Sequence, residues 1–457
     1  MKLALTPCLL SSALIGCSAN LRPAFVSHLR PSKAPISRTL QIHSSTDLDS
    51  SSTQQTLRTL YPSIQPYKND SVKVSPLHTL QYQIYGNPEG LPALFLHGGP
   101  GAGCFPNHAR FFDPDKYCIV LLNQRGTNEV GRGIIQENTL LDLVDDCEVL
   151  RSHLNVSAWS VVLGGSWGTT LALAYAQEYP DSLKSMILRG VCLLRPREVN
   201  WLLGNDGVAN LDPAGFQEFC QAVNATNETS VLEEYYHRLL SEDPMQRLSA
   251  ARGWMKWEMR VSSLQANETD ATAPVLVGQR GSWKYQDGAG NEWSKDDTIM
   301  PTLLLERLKR MVPERERCHQ AAMLPIHAVT PLDPLISNTT ISNMTIEDAA
   351  KLIPSQAMLT CFYSVNHDYC MNHVDLLSID RMIKLQSIPT IAIHGGFDNI
   401  CPVNNALDLS EAWPGLEVRL CTKARHSMYD AAITNELIQA TDRLAKLWET
   451  PPSGIFL

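Results

Sequence analysis

The sequence predicts an α/β architecture: a mostly parallel sheet with helices on both faces and a mainly helical cap inserted into it. Three observations predict it. Short apolar runs with β-branched residues alternate with amphipathic stretches of helical period, the pattern of a parallel sheet. That alternation lapses over residues 196–380 and resumes over 381–457, as an insertion would make it do. In the first part, Trp159-Ser-Val-Val-Leu-Gly-Gly-Ser-Trp-Gly-Thr169 reads as strand, sharp turn and helix, with Gly164, Ser166 and Gly168 at G-x-S-x-G spacing.

The chain has 457 residues, 44% of them hydrophobic, enough for one large core and an accessory domain. A net charge of −9 argues against nucleic acid and anionic membranes as partners. No apolar run approaches the ~18 residues of a membrane span. The 12 cysteines include no C-x-x-C pair, so neither a zinc framework nor a dithiol redox motif is expected. No metal and no cofactor are expected.

Residues 1–46 contain no Asp or Glu but carry Lys2, Arg22, Arg30, Lys33, Arg38 and many serines. This composition is that of a transit peptide to a plastid or mitochondrion. Met1–Ala19 reads alternatively as a secretory signal, and a two-part address fits as well. Thr46–Gln55 is a polar linker, and residues 1–60 are assigned to a leader and linker, removed or disordered. Sequons at Asn69, Asn155, Asn224, Asn227, Asn267, Asn338 and Asn343 keep a secretory route open.

Residues 61–195 are assigned to the first part of the core. Leu91-Pro-Ala-Leu-Phe-Leu-His97 is a buried strand that enters the turn Gly98-Gly-Pro-Gly101, and Tyr117–Leu122 is a strand ending in Asn123-Gln-Arg-Gly126. Thr139–Leu154 is an amphipathic helix, with Leu140, Leu143, Val144, Cys147, Leu150 and Leu154 among its apolar residues; Thr139 and Asp142 resemble a capping box. Val161–Leu163 is a strand, Thr169–Tyr179 an Ala/Leu-rich helix, and Ser185–Leu188 a strand.

Residues 196–380 are assigned to the cap. Phe216–Val223, Val231–Leu240 and Arg252–Met259 are helical, Ala266–Asp297 is a polar, loop-rich insertion, Leu303–Met311 a basic helix and Asn338–Thr345 a loop. Residues 381–457 complete the core. Ile388-Pro-Thr-Ile-Ala-Ile-His394 is a strand ending in Gly395-Gly-Phe-Asp398, Leu416–Leu420 is a strand followed by Lys423-Ala-Arg-His-Ser427, and Glu436–Trp448 is an amphipathic helix.

Ser166, Asp398 and His426 each follow the carboxyl end of a predicted strand, in the order nucleophile, acid, base. In a parallel sheet those ends share one edge. A serine hydroxyl needs a base to take its proton, imidazole titrates near neutral pH, and a carboxylate fixes the imidazole tautomer. A backbone N–H of the glycine-rich turn Gly98–Gly101 and that of Trp167, after the serine, are the candidate oxyanion donors. Asp408 and Asp430 are rivals for the acid but fall in predicted helices. His97, His394, His367 and His373 are read as structural.

The chain resembles the prolyl iminopeptidases, proline-releasing aminopeptidases of the α/β-hydrolase fold, over about Tyr82–Leu447. The resemblance rests on His97-Gly-Gly-Pro-Gly101, Asn123-Gln-Arg-Gly126, Gly164-Gly-Ser-Trp-Gly168 with Thr170-Leu-Ala-Leu-Ala-Tyr-Ala-Gln177, Trp254-Met-Lys-Trp-Glu258, His394-Gly-Gly-Phe-Asp-Asn-Ile-Cys-Pro402 and His426-Ser427. It implies Ser166 as nucleophile, Asp398 as acid, His426 as base, Gly99 and Trp167 as the oxyanion hole, and Glu258 as the receiver of the substrate's charged amino terminus. It implies short peptides with a free N-terminus as substrates. The chain departs from the family pattern at Asn123, where Asp is usual, at Thr360, which stands where the family carries a second glutamate, and in a longer lid. A serine esterase or amidase of the same fold is the alternative function. A catalytically silent binding module is a third, opposed by the intact constellation.

Overall fold

Apolar residues on both faces of each central strand dictate the layout, because such a strand must be covered twice. In the computed structural model, residues 57–127, 132–225, 230–279, 282–286, 292–293 and 354–449 are described, and they belong to one unit, Gln55–Leu457. The leader before residue 57, Leu303–Met311 and Asn338–Thr345 lie outside the described residues.

The strands are β1 (Lys68–Lys73), β2 (Thr79–Gly86), β3 (Leu91–Leu96), β4 (Tyr117–Leu122), β5 (Val161–Gly165), β6 (Met186–Arg189), β7 (Val275–Gln279), β8 (Ser282–Gln286), β9 (Glu292–Trp293), β10 (Thr390–Gly395) and β11 (Glu417–Cys421). They form one sheet in the order β1-β2-β4-β3-β5-β6-β10-β11-β7-β8-β9. The run from β4 to β11 is parallel. Antiparallel strands flank it at both edges. The helices used below are α1 (Leu140–His153), α2 (Trp167–Glu178), α3 (Pro196–Leu203), α4 (Pro213–Gln221), α5 (Val231–Leu239), α6 (Pro244–Ser263), α7 (Ser355–Val365), α8 (Asn404–Ala412) and α9 (Ala431–Glu449).

Alternate strand residues divide between two apolar clusters. Leu94, Leu96, Val162, Met186, Leu188 and Ala392 face the side that holds α1, α2 and the cap. Ala93, Phe95, Val161, Leu163, Ile187, Ile391 and Ile393 face the side that holds α9. The expected capping box forms at α1: Asp142 N–H donates to Thr139 Oγ1 at 3.4 Å, and Thr139 N–H donates to Asp142 Oδ2 at 2.9 Å. In the cap, α4, α5 and α6 pack through aromatic rings. Phe219 stacks on Tyr235 at 4.4 Å between centroids and on Trp257 at 5.6 Å, while Trp254 meets Tyr235 edge-on at 5.3 Å.

Two segments differ from expectation. Val275–Gln279 and Ser282–Gln286, read as loop, extend the core sheet from β11. Their alternation is short, and Gly278 and Ser282 mask it; pairing with the buried strand β11 supplies what local pattern lacks. Residues 57–60, assigned to the linker, are held against α9. Arg58 N–H donates to Asn435 Oδ1 at 2.9 Å, and Leu60 packs on the α9 cluster. Arg252–Met259 is the middle of the longer helix α6.

Leu163 is fully enclosed at the sheet centre, so Leu163→Ala is expected to lower the unfolding free energy by about 2–5 kcal/mol. Thr139→Ala removes only a cap, at a cost of about 1 kcal/mol. Urea unfolding monitored by tryptophan fluorescence ranks the two, and a larger loss for Thr139 would contradict this packing.

Candidate active site

Ser166 sits between β5 and α2 with φ 55° and ψ −123°, a left-handed region that a non-glycine residue occupies at a cost of roughly 1–3 kcal/mol. The surroundings hold it there. Its N–H donates to the Arg189 carbonyl at 2.8 Å. A Cβ on Gly164 would run into the Gly168 carbonyl, and one on Gly168 into the Leu96 carbonyl. The glycines therefore let strand, turn and helix close on one another. The serine is left partly exposed at the first turn of α2, where backbone N–H groups lack intrahelical acceptors.

The sheet order brings the other side chains to the same edge. The turn after β6 touches that after β10: a Cβ on Gly190 would lie 3.1 Å from His426 Cε1 and 3.5 Å from Asp398 Oδ2. Asp398 Oδ2 receives His426 Nδ1–H at 2.7 Å. Asp398 Oδ1 accepts the N–H groups of Ile400 at 3.0 Å and Cys401 at 2.8 Å. Burial opposes ionisation of Asp398, but His426, His394 and the Cys401 N–H outweigh it and hold its carboxyl below the ordinary range. An ionised Asp398 fixes the proton of His426 on Nδ1 and leaves Nε2 as the acceptor.

His426 Nε2 faces Arg189 Nη1 at 3.3 Å, and the same Nη1 donates to the His426 carbonyl at 3.0 Å. Arg189 thus joins both partners: its carbonyl holds the Ser166 backbone and its guanidinium holds His426. Gly165 makes room for it, since a Cβ there would lie 2.6 Å from Arg189 Nη2. Burial lowers the pKa of Arg189 from its ordinary value. Among the described residues Ser166 Oγ has no hydrogen-bond partner; such contacts commonly tighten only when substrate arrives.

The turn after β3 lies beside the serine. A Cβ on Gly98 would be 3.1 Å from Ser166 Cβ, and Gly99 has φ 110°, which suits glycine alone. His97 Nε2 accepts Gln124 N–H at 3.1 Å and Gln124 Nε2 donates to the His97 carbonyl at 2.8 Å, which braces this turn. Gln124 Oε1 in turn accepts Trp167 Nε1–H at 2.9 Å. The N–H groups of Gly99 and Trp167 are therefore carried by two segments tied to each other.

Glu258 comes from α6 in the cap. Trp254 and Trp257 are buried in the aromatic cluster, and the side of α6 they define brings Glu258 to the cap's inner surface. Its Oε1 accepts Trp254 Nε1–H at 2.8 Å and its Oε2 accepts Gln356 Nε2–H at 2.7 Å. The residue keeps some exposed surface, but its carboxyl is densely surrounded. Burial raises its pKa from 4.5 to about 7, against the lowering effect of those two hydrogen bonds. Among the described residues no cation is a partner of Glu258. The neighbours on α6 are engaged elsewhere, Lys256 with Glu218 at 2.7 Å and Arg260 with Asp212. Helix α7 ties the clamp to the turn after β3, because Ser355 Oγ donates to the Gly101 carbonyl at 3.0 Å.

The remaining sequence candidates fall into place. Asn123 Oδ1 accepts Cys104 N–H at 2.8 Å, a structural contact that an amide oxygen makes as well as a carboxylate. Thr360 is buried and its Oγ1 has no partner among the described residues. Asp408 lies in α8 and pairs with Arg195 and Arg197, while Asp430 just precedes α9 and receives Arg425 N–H at 2.7 Å. His394 Nδ1 accepts Val191 N–H at 3.1 Å and Nε2 meets the Cys401 carbonyl at 2.9 Å. His367 Nε2 meets the Leu194 carbonyl at 2.7 Å. Every described cysteine is a free thiol.

Sequence reasoning missed Arg189 and Gln356. A signal existed for each. Arg189 is a lone cation ending the apolar run Met186-Ile-Leu, and Gln356 lies one helical turn before Thr360 on the same face.

A family description, the alpha/beta hydrolase fold, matches residues 92–431. The chain is 32% identical over 392 residues to a proline iminopeptidase of Arabidopsis thaliana, covering 85% of this chain and 83% of that one. It is 32% identical over 388 residues to a probable proline iminopeptidase of Leptolyngbya boryana, covering 85% and 97%. With a proline iminopeptidase of Xanthomonas citri it shares 31% identity over 390 residues, 85% of this chain and 100% of that one.

The state of Glu258 can be tested without substrate. Its pKa in the fold, about 7, lies above the ordinary 4.5. The folded state therefore gains from the protonated form, a contribution complete below the unfolded pKa and lost as pH rises through the folded one. Thermal unfolding of the wild type is expected to fall relative to Glu258→Gln between pH 4.5 and pH 7 and to level off above. A difference independent of pH would contradict the enclosure of this carboxyl.

Proposed function

The chain belongs to the proline iminopeptidase family of α/β hydrolases, and from that membership we propose that it is a serine aminopeptidase releasing N-terminal proline from short peptides. The observation that carries the reading is Glu258: an enclosed carboxylate with no cation among the described residues, held by α7 against the turn that flanks Ser166. Such a group awaits a positive charge, and the charge an exopeptidase substrate brings is its amino terminus. An internal peptide or an N-blocked chain brings none, so the carboxylate selects for a free end.

Catalysis follows from the edge of the sheet. His426 Nε2 accepts the Ser166 proton as Oγ attacks the prolyl carbonyl. Asp398 stabilises the imidazolium through Nδ1–H without taking the proton itself. The oxyanion forms against the N–H groups of Gly99 and Trp167, which are fixed before the reaction and need no reorientation. His426 then protonates the departing amine, and the C–N bond breaks to leave prolyl-Ser166. Water, deprotonated by His426, attacks the ester and frees proline and the serine hydroxyl. No cofactor takes part. The cap over the site favours short, unblocked chains.

The second reading, an esterase or amidase with another substrate, is favoured by one observation: Thr360 offers no charge where the family has a second carboxylate. One substrate panel separates the two. Ser166→Ala is expected to abolish turnover of prolyl arylamide and labelling by a fluorophosphonate. Glu258→Gln is expected to lower kcat/KM for prolyl arylamide at least ~30-fold, the equivalent of about 2 kcal/mol for a broken enclosed charge pair, and to leave hydrolysis of an N-acetyl ester within ~3-fold. Equal losses on both substrates would reject the amine-binding role and support the second reading.

A further inference from the structure

Gln356 is the side chain that meets Glu258 from outside α6, through Nε2–H to Oε2 at 2.7 Å. When Glu258 is ionised, as it is beside an ammonium, the amide has one sensible orientation: turned over, its oxygen would face the carboxylate oxygen with no proton between them, so the donor end is committed to Glu258 and Oε1 points elsewhere. Among the described residues Oε1 has no hydrogen-bond partner. Thr360, one turn along the same helix, makes no hydrogen bond to Glu258, so the second group that meets the carboxyl by a hydrogen bond is an amide rather than a charge.

The position of this amide relative to the nucleophile is fixed by backbone. A Cβ on Gly101 would lie 3.1 Å from the Gln356 nitrogen, and Ser355 Oγ holds the Gly101 carbonyl at 3.0 Å. At the other end of the same turn, Gly98 abuts Ser166. The three peptide units from Gly98 to Gly101 span at most about 11 Å when extended. The nucleophile and the helix that carries Gln356 thus flank the two ends of one short turn.

We infer that Gln356 is the second contact for the substrate's amino terminus: Nε2 orients Glu258, and Oε1 accepts an N–H from the substrate ammonium. The inference rests on the aminopeptidase reading above and deepens it. An N-terminal proline carries a secondary ammonium with two N–H bonds, one for Glu258 and one for Gln356 Oε1. The amide serves this purpose without a second negative charge, which would make Glu258 harder still to ionise.

The test is steady-state kinetics of Gln356→Leu and Glu258→Gln beside the wild type, on prolyl arylamide from pH 6 to 9 and on an N-acetyl ester, with fluorophosphonate labelling to confirm a folded site. For Gln356→Leu, KM for prolyl arylamide is expected to rise about tenfold with kcat within ~3-fold, as for loss of one hydrogen bond to a charged group. The acid limb of kcat/KM is expected to move to higher pH, because Glu258 has lost an N–H donor that favours its ionised form. The ester rate should stay unchanged. Gln356→Glu, which keeps an acceptor and loses the donor, covers the case in which leucine is not tolerated: the acid limb should move up while KM at pH 9 does not rise. Should Gln356→Leu leave both KM and the acid limb in place while Glu258→Gln raises KM, Gln356 has no such role and the aminopeptidase reading stands. Should neither variant raise KM, both inferences fall together.

Discussion

A carboxylate that no described cation neutralises is the constraint on which the described part of the cap depends. Removing a charge from water costs several kcal/mol unless partners replace the lost solvent. Here two N–H donors do so in part, Trp254 from the same helix and Gln356 from α7. The aromatic cluster of Phe219, Tyr235, Trp254 and Trp257 fixes the register of α6 and so the place of Glu258. A soft cap would let the carboxylate turn toward water, and its preference for a cation would fade.

The core supplies the reactive half by backbone geometry. Six parallel strands end at one edge, and neighbouring strands deliver the turn after β3, Ser166, Arg189, Asp398 and His426 in spatial order. The serine's left-handed backbone is held by the Arg189 carbonyl and by glycines that permit near contact of β3, β5 and α2. Among the contacts between cap and core is the turn Gly98–Gly101, which touches Ser166 at one end and α7 at the other. One short turn thus links the neighbourhood of Ser166 to the helix that carries Gln356.

Much of this was legible in the sequence. Tyr117–Leu122 reads as a strand because its apolar run has clean ends, and it forms over those residues. Thr139 and Asp142 announce the start of α1 by local hydrogen bonding alone. The three catalytic candidates were singled out because each follows a buried strand, and their place along one edge is a property of the parallel sheet rather than of local sequence. What escaped notice depends on distant partners. Strands β7 to β9 exist because β11 offers an edge, and their own pattern is too short and too polar to declare them. Arg189 reads as a strand end until Gly165 is seen to leave space for its guanidinium. Gln356 gains meaning only when the fold sets it against Glu258, 98 residues earlier in the chain.

The central claim, that Glu258 waits for the substrate's ammonium, has a direct proton signature. With a pKa of about 7 the carboxyl is mostly protonated at pH 6. Binding a cation must drive it to the ionised form and expel the proton. Titration calorimetry of the Ser166→Ala protein with prolinamide at pH 6, in buffers of different ionisation enthalpy, counts that proton. The account predicts release approaching one proton per prolinamide bound at pH 6, falling as pH rises and giving way to uptake where the free amine begins to lose its own proton, and absent at pH 6 when Glu258→Gln is added to the same protein. Binding at pH 6 with no proton released, or with release unaffected by Glu258→Gln, would contradict it.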